Sequence, residues 1–381
     1  MLSKGLIGLI VLALVVIVGT KLYMKTQPVS NTDKPTKAKV ITPTLTPLSL
    51  KTIGWIPYWD QKNAFESFSN NAQFFDFVSV FWYRIDAFGN LKTYKSTIVD
   101  QSIIDFAHQN KVRILAVVAN MADYGEEGNW DAERVDLVIS SPQSRSNHIS
   151  DLVALAENNN FDGIDIDYEA LKPSQRENFS LFVEELAEKL HQKSKLLGVA
   201  IHPRTQEFNP DEDGGSQAQN LARISKAADH MYFMNYTEHN IFSQPGPAAS
   251  IDWDKRVMDY ALNDAKIPPE KIFFGIGLFG LEWRQEAVGS FEGENDDLTF
   301  GQIQTLVQKN NIKVDWDDNA KSPHFEYQKS GEKYVVWFEN AQSVAERIGL
   351  AKELKVGGIA FWRLGGEDPL VWQKVREFKQ N

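Results

Sequence analysis

Nine residues, Phe161-Asp162-Gly163-Ile164-Asp165-Ile166-Asp167-Tyr168-Glu169, place four carboxylates inside a run that otherwise reads as a β-strand. Successive strand side chains alternate between two faces, so Asp165, Asp167 and Glu169 share one face and Ile164, Ile166 and Tyr168 the other. An apolar opposite face suits a strand covered by helices, as in a parallel sheet. Three carboxylates in one small space cannot all ionise freely, so at least one must keep its proton to unusually high pH, which is what a general acid needs. An acidic strand end facing solvent and a site for a hard divalent cation are the other two readings. The run lacks the Asp/Asn/Gly loop that such cation sites use.

Beyond Leu50 the chain alternates short apolar runs with segments of helical period, the pattern of a parallel α/β fold. The eight runs are 53–58, 77–83, 114–118, 161–169, 197–202, 231–236, 272–279 and 358–362. Eight units in about 330 residues predict one (β/α)8 TIM barrel with an insertion. After the acidic run, Ser174 and Glu177 read as a capping box, and Phe179, Phe182, Val183, Leu186 and Leu190 keep helical spacing along one face. The interval between the last two runs is far longer than one helix requires. Within it, 325–327 and 334–338 read as strands around the turn Lys329-Ser330-Gly331-Glu332. A small insertion is therefore expected between strands seven and eight, at about 285–350; a domain-swapping or dimer-forming arm is the alternative.

The ends of the chain differ in character. Residues 5–20 carry no charge and are flanked by Lys4, Lys21 and Lys25. At ~1.5 Å per residue the run is a little short of the hydrocarbon core, and Leu22, Tyr23 and Met24 extend it. It has no amphipathic stripe and no Ala-x-Ala-like cleavage site follows. Residues 1–25 are expected to be a retained single-pass signal anchor at the cell membrane, with the bulk of the chain extracytoplasmic; cleavage and secretion are the alternative. Residues 26–50, rich in Thr, Pro and Lys, read as an extended linker to a domain over 51–381.

Six lysines and one aspartate give residues 1–50 a net charge of +5, which leaves −16 for the rest. An acidic domain on a basic tether is unsuited to nucleic acid. Cysteine is absent, which excludes thiol nucleophiles, thiolate metal sites and disulfides. The seven histidines lack metal-ligand spacing and no Gly-rich phosphate loop follows a strand, so neither a metal nor a cofactor is expected.

The pattern Asp162-x-x-Asp165-x-Asp167-x-Glu169 resembles the signature of glycoside hydrolase family 18, the chitinase-like hydrolases, with every acidic position filled. The resemblance implies that the motif closes the fourth barrel strand, that the insertion between strands seven and eight is α+β, and that Glu169 is the proton donor. Asp167 would orient the substrate's 2-acetamido group, Asp165 would share a proton with it, and Asp162 and Gly163 would be structural. Met231-Tyr232-Phe233-Met234-Asn235-Tyr236 is similar to the family's Met-x-Tyr-Asp element, which gives Met234 a place in the cleft and Tyr236 the acetamide carbonyl. The family Asp is replaced by Thr237, with Glu238 next as a possible substitute. The family's Ser-x-Gly-Gly-like third-strand element is also absent, the chain reading Val117-Val118-Ala119-Asn120-Met121. Trp362 falls where the family floors its cleft with Trp, and Tyr58 and Trp283 are further candidate contacts.

The runs Gly54-Trp55-Ile56-Pro57-Tyr58, Pro245-Gly246-Pro247, Ile267-Pro268-Pro269-Glu270-Lys271 and Phe361-Trp362-Arg363-Leu364-Gly365-Gly366-Glu367-Asp368 are most similar to the spore-germination branch of the family, whose members cut N-acetylglucosamine linkages in cortex peptidoglycan. The implied activity is retaining, substrate-assisted hydrolysis of a β-1,4-linked N-acetylglucosamine polymer, peptidoglycan before chitin, by a monomer. A glycan-binding protein without catalysis is the contrasting reading.

Overall fold

The computed structural model describes residues 50–126, 129–207, 215–287 and 289–380 of the 381-residue chain. The signal anchor expected over 1–25, and the linker over 26–50 but for Leu50, lie outside the described residues. Among the described residues no helix is long and apolar enough to cross a membrane.

Eight parallel strands close into a barrel: β1 (Lys51–Pro57), β2 (Phe77–Ile85), β4 (Arg113–Ala119), β5 (Gly163–Asp167), β6 (Leu196–Ile201), β7 (His230–Phe233), β8 (Ile272–Gly277) and β14 (Gly358–Trp362). Closure comes from β1, which pairs in parallel with both β2 and β14. Each of the eight expected runs overlaps one of these strands. A short strand β3 (Leu91–Thr93) folds back antiparallel on β2, a hairpin that the apolar pattern does not signal.

Alternation along the strands sorts the side chains into two cores. Ile53, Phe77, Phe81, Leu115, Val117, Phe273 and Ala360 fill the barrel, while Val78, Val80, Ile114, Ala116, Ile164 and Ile166 meet the helices outside. Asp165 pairs in register with Val117 on one side and Gly198 on the other, which puts it among the interior residues. The helix Arg176–Gln192 covers β5 with Phe179, Phe182, Val183, Leu186 and Leu190, all fully buried. At roughly 1.5–3 kcal/mol for each large apolar side chain taken out of water, this one face anchors the acidic strand firmly.

The start of that helix differs from the expected capping box. Ser174 lies in a 3-10 turn, Pro173–Gln175, in which Gln175 Oε1 accepts the Lys172 backbone N–H at 2.8 Å. Glu177 is drawn instead to Arg223 at 2.8 Å. A buried tertiary packing of Gln175, which also donates to the Ala132 carbonyl at 2.9 Å, moves the helix start past Ser174.

The insertion is an antiparallel sheet with one helix. Its strands β9 (Gly280–Ala287), β10 (Ser290–Leu298), β11 (Asp315–Asp317), β12 (Ser322–Lys329) and β13 (Glu332–Phe338) run in the order β10-β9-β13-β12-β11. Phe325, Tyr327, Tyr334, Val336 and Phe338 bury one face against the helix Phe300–Asn310. The β12–β13 hairpin turns at Ser330 and Gly331, both with positive φ, the conformation that a two-residue hairpin favours. The sheet thus begins at Gly280 and ends at Phe338. The helix Ala341–Glu353, assigned partly to the insertion by sequence, is capped by Asn340 and packs into the barrel's outer core.

Candidate active site

Strand β5 stops at Asp167, and its three aligned carboxylates stand at successive depths. Asp165, 2 % exposed, is the innermost. It accepts hydrogen bonds from the Ser79 hydroxyl and, at 3.0 Å, from the Tyr232 hydroxyl, which also meets His230 Nδ1 at 3.1 Å. Burial pushes its pKa up to about 7 against the pull of those two donors. Gly198 is required beside it: a Cβ there would lie 2.0 Å from Asp165 Oδ1 and 2.4 Å from the Tyr232 ring. Asp167 is also raised to about 7, first by burial and then by the charge of Asp165. Its Oδ1 is enclosed and makes no hydrogen bond within the protein.

Glu169 lies two residues past the strand end, and Asn120 fixes its backbone. The Glu169 N–H donates to Asn120 Oδ1 at 2.9 Å, and Asn120 Nδ2 donates to the Glu169 carbonyl at 2.9 Å and the Asp131 carbonyl at 3.0 Å. Burial, followed by the neighbouring charge of Asp167, holds the Glu169 carboxyl well above the usual range. Tyr168 turns the other way, its hydroxyl 2.7 Å from His148 Nε2 in the outer core.

These carboxylates floor a cleft of about 410 Å³. Met234 and Tyr236 line it from the segment after β7, and Trp362 lines it from the end of β14. The charges of Asp167 and Glu169 add to desolvation in raising the Tyr236 hydroxyl pKa, which places that hydroxyl in the field of both carboxylates. Trp55 and Trp59 approach Trp362 with ring centroids 6.3 Å away in each case. The walls above the acids are largely apolar.

Other candidates sit elsewhere. Trp283 is 0 % exposed, packed with Ala248 and Leu281 on the sheet face opposite its helix-covered core, and does not itself line the cleft. Glu238 does not line the cleft: its Oε2 accepts the Ser250 backbone N–H at 2.5 Å, at the start of the helix Ile251–Asp259. It therefore cannot replace the carboxylate missing at Thr237, whose own hydroxyl turns back to the Met234 carbonyl at 3.2 Å. Tyr58 is half-buried and stacks on Tyr94 at 4.3 Å rather than lining the cleft; its neighbour Trp59 is 44 % exposed. Asp162 lies on the opposite side of the strand, where its Oδ2 accepts from the Ile114 N–H at 2.8 Å and contacts His108 Nε2 at 2.9 Å. Gly163 leaves space for β6, since a Cβ there would lie 2.5 Å from the Leu196 carbonyl.

Asn120, Ser79, Tyr232 and Trp59 were not singled out from the sequence.

The sequence model for glycosyl hydrolases family 18 matches residues 51–367. The chain belongs to glycoside hydrolase family 18. Among similar proteins, the glycosylase YvbX of Bacillus subtilis is 27 % identical over 276 residues, covering 72 % of this chain and 77 % of that protein. The cortical fragment-lytic enzyme of Bacillus anthracis is 25 % identical over 312 residues, covering 80 % and 68 %. A chitinase from Chromobacterium violaceum superposes with a TM-score of 0.76 at 27 % identity, covering 87 % of this chain and 99 % of that one. The family 18 barrel is thus a glycoside hydrolase, and its acidic strand end is where the chemistry belongs, since barrel enzymes build their sites at the C-terminal ends of strands.

Proposed function

We propose that the protein is a retaining β-N-acetylglucosaminidase that cuts cell-wall peptidoglycan by substrate-assisted catalysis. The observation that carries this reading is Glu169, which lines one cleft with Asp165, Asp167 and Tyr236 and whose carboxyl burial and the charge of Asp167 push above the usual range. Protonated Glu169 gives its proton to the glycosidic oxygen as the bond breaks. The substrate's acetamide oxygen closes on the anomeric carbon, so no second carboxylate need act as nucleophile. Asp167, with Oδ1 free of protein partners, takes the acetamide N–H and balances the positive charge of the oxazolinium ion. The Tyr236 hydroxyl steadies the acetamide oxygen from the opposite wall. Glu169, now ionised, draws a proton from water that opens the ring from the original face. Trp362 offers its indole to the apolar side of the sugar.

The peptidoglycan assignment is supported by the cortical fragment-lytic relatives. Chitin is the second reading, supported by the chitinase at 27 % identity. Residues 5–20 would hold the enzyme at the outer face of the membrane, where a tether raises the local concentration of wall substrate without new contacts. The test is release of reducing ends from purified peptidoglycan and from chitin oligomers, by the protein and by Glu169→Gln. The variant should lose on the order of 10²–10⁴ in rate on the preferred polymer. Glycan binding by both proteins with no hydrolysis by either would instead establish a lectin. The same assay on whole cells, with and without residues 1–50, tests the tether: equal action would remove it from the account.

A further inference from the structure

The cleft wall contributed by the insertion holds one carboxylate that the mechanism above does not use. Asp296, on β10, lines the cleft and is exposed to it, and among the described residues it forms no hydrogen bond or ion pair. Its neighbour Asp297 is the opposite case. Arg363, 5 % exposed, donates from Nε to Asp297 at 2.9 Å and from a terminal nitrogen at 2.6 Å, while its other terminal nitrogen reaches Asp60 Oδ2 at 2.7 Å. The guanidinium also lies 6.0 Å from the Trp59 ring. One buried cation therefore ties together three segments, and two of them put a side chain at the cleft: Asp296 next to Asp297, and Trp362 next to Arg363.

We propose that Asp296 is a sugar-binding, specificity-determining residue, and that Arg363 is the positioning residue that holds it over the cleft. Several features support this. Thr237 presents no carboxylate at the end of β7, and Glu238 is committed to Ser250. The other cleft carboxylates lie on the floor along β5. A polysaccharide lying across an otherwise apolar wall needs a polar partner for its hydroxyl or amide hydrogens, and an ionised carboxylate makes the stronger kind of hydrogen bond. The bidentate pairing of Arg363 with Asp297 fixes orientation as well as proximity. As an anion, Asp296 also disfavours a carboxyl-bearing substituent on the sugar it touches.

This inference rests on the proposed glycosidase activity. Its test is calorimetric binding of an N-acetylglucosamine tetramer to the full chain carrying Glu169→Gln, alone and combined with Asp296→Ala, Asp296→Asn or Arg363→Met. Asp296→Ala should weaken binding roughly ten- to hundredfold, the worth of a hydrogen bond to a charged group, with thermal stability unchanged. Asp296→Asn should recover part of the loss. Arg363→Met should reproduce it with Asp296 intact, which a role confined to stability would not do. Binding within twofold of the parent in Asp296→Ala would overturn the proposal while leaving the glycosidase reading in place. Failure of the Glu169→Gln parent to bind either the N-acetylglucosamine tetramer or a peptidoglycan fragment would overturn both.

Discussion

Asn120 holds Glu169 by its backbone at both ends, receiving the N–H and donating to the carbonyl, each at 2.9 Å. The proposed acid therefore owes its position to an amide on the preceding barrel strand's exit rather than to any contact of its own carboxyl. A side chain that must reach a substrate is left free, and the chain that carries it is made rigid.

Replacing Asn120 with Leu, which has a similar shape, leaves the Glu169 N–H and carbonyl and the Asp131 carbonyl without that partner. With about 1–3 kcal/mol for each buried unsatisfied group, stability should fall by several kcal/mol in urea unfolding. The value of kcat should fall more than KM rises, because the acid is displaced and the binding walls are not. Asn120→Asp keeps the acceptor and loses both donations, and should lie between. An Asn120→Leu protein with parental kcat would show that Glu169 does not depend on the clamp.

Stability should depend on pH through the buried pair. Asp165 and Asp167 hold their protons to about pH 7 in the fold, whereas an unfolded aspartate releases its proton near 4. Between those values this pair binds more protons in the fold than unfolded, so its contribution to stability is fullest below about pH 4 and declines as pH rises towards 7. Asp167→Asn removes one titration and relieves Asp165 of a charged neighbour. Its decline across this range should be shallower, as measured by urea unfolding at intervals from about pH 4 to 8. Parallel curves for the two proteins would contradict this account of the pair.

A second buried charge cluster joins the barrel to the insertion's exit. Arg347, 2 % exposed, lies 3.1 Å from Glu339 and 3.5 Å from Asp254, and burial raises Asp254 to about 7 in spite of that cation. Arg347→Met leaves two carboxylates buried without it. The loss should be on the order of 3–5 kcal/mol near pH 8 and smaller near pH 5, where the carboxyls take up protons. Equal losses at both pH values, from denaturant midpoints, would show that packing rather than charge sets the cost.

The barrel was legible because each strand's two-residue period meets a helix's longer one, and that contrast survives in a single sequence: Ile164 and Ile166 point to the outer core and Asp165 to the interior. The order of the three acids along β5 was equally legible, since it follows from parity. Partners from distant segments were not. Ser79, Asn120 and Tyr232 reach the acids from β2, β4 and β7, and nothing local marks them. The aromatic candidates failed for a related reason. Tyr58 follows the end of β1 and Trp283 lies within β9, and whether either meets cleft or core is decided only once the insertion's sheet and the neighbouring loops are in place. Glu238 lay one residue from a cleft position but was claimed by a helix start. In the same way Ser174 had the right spacing for a cap, yet buried Gln175 took the turn. Arg363 beside Trp362 carried no signal because its partners are some 66 and 303 residues away in the chain.

The insertion leaves and rejoins the barrel through a single antiparallel contact, with Gly280 paired to Phe338. Its two ends are therefore held side by side, much like the stem of a loop, while one apolar face is covered by its own helix and the other packs through Leu281 and Trp283 against Ala248. A unit connected in this way can be exchanged as a cassette. Transplanting 280–338 between barrels of this family would carry the Leu281 and Asp296 wall with it and leave the acid, its clamp and the eight-stranded frame untouched, so that preference for a polymer and the power to cleave it could be altered separately.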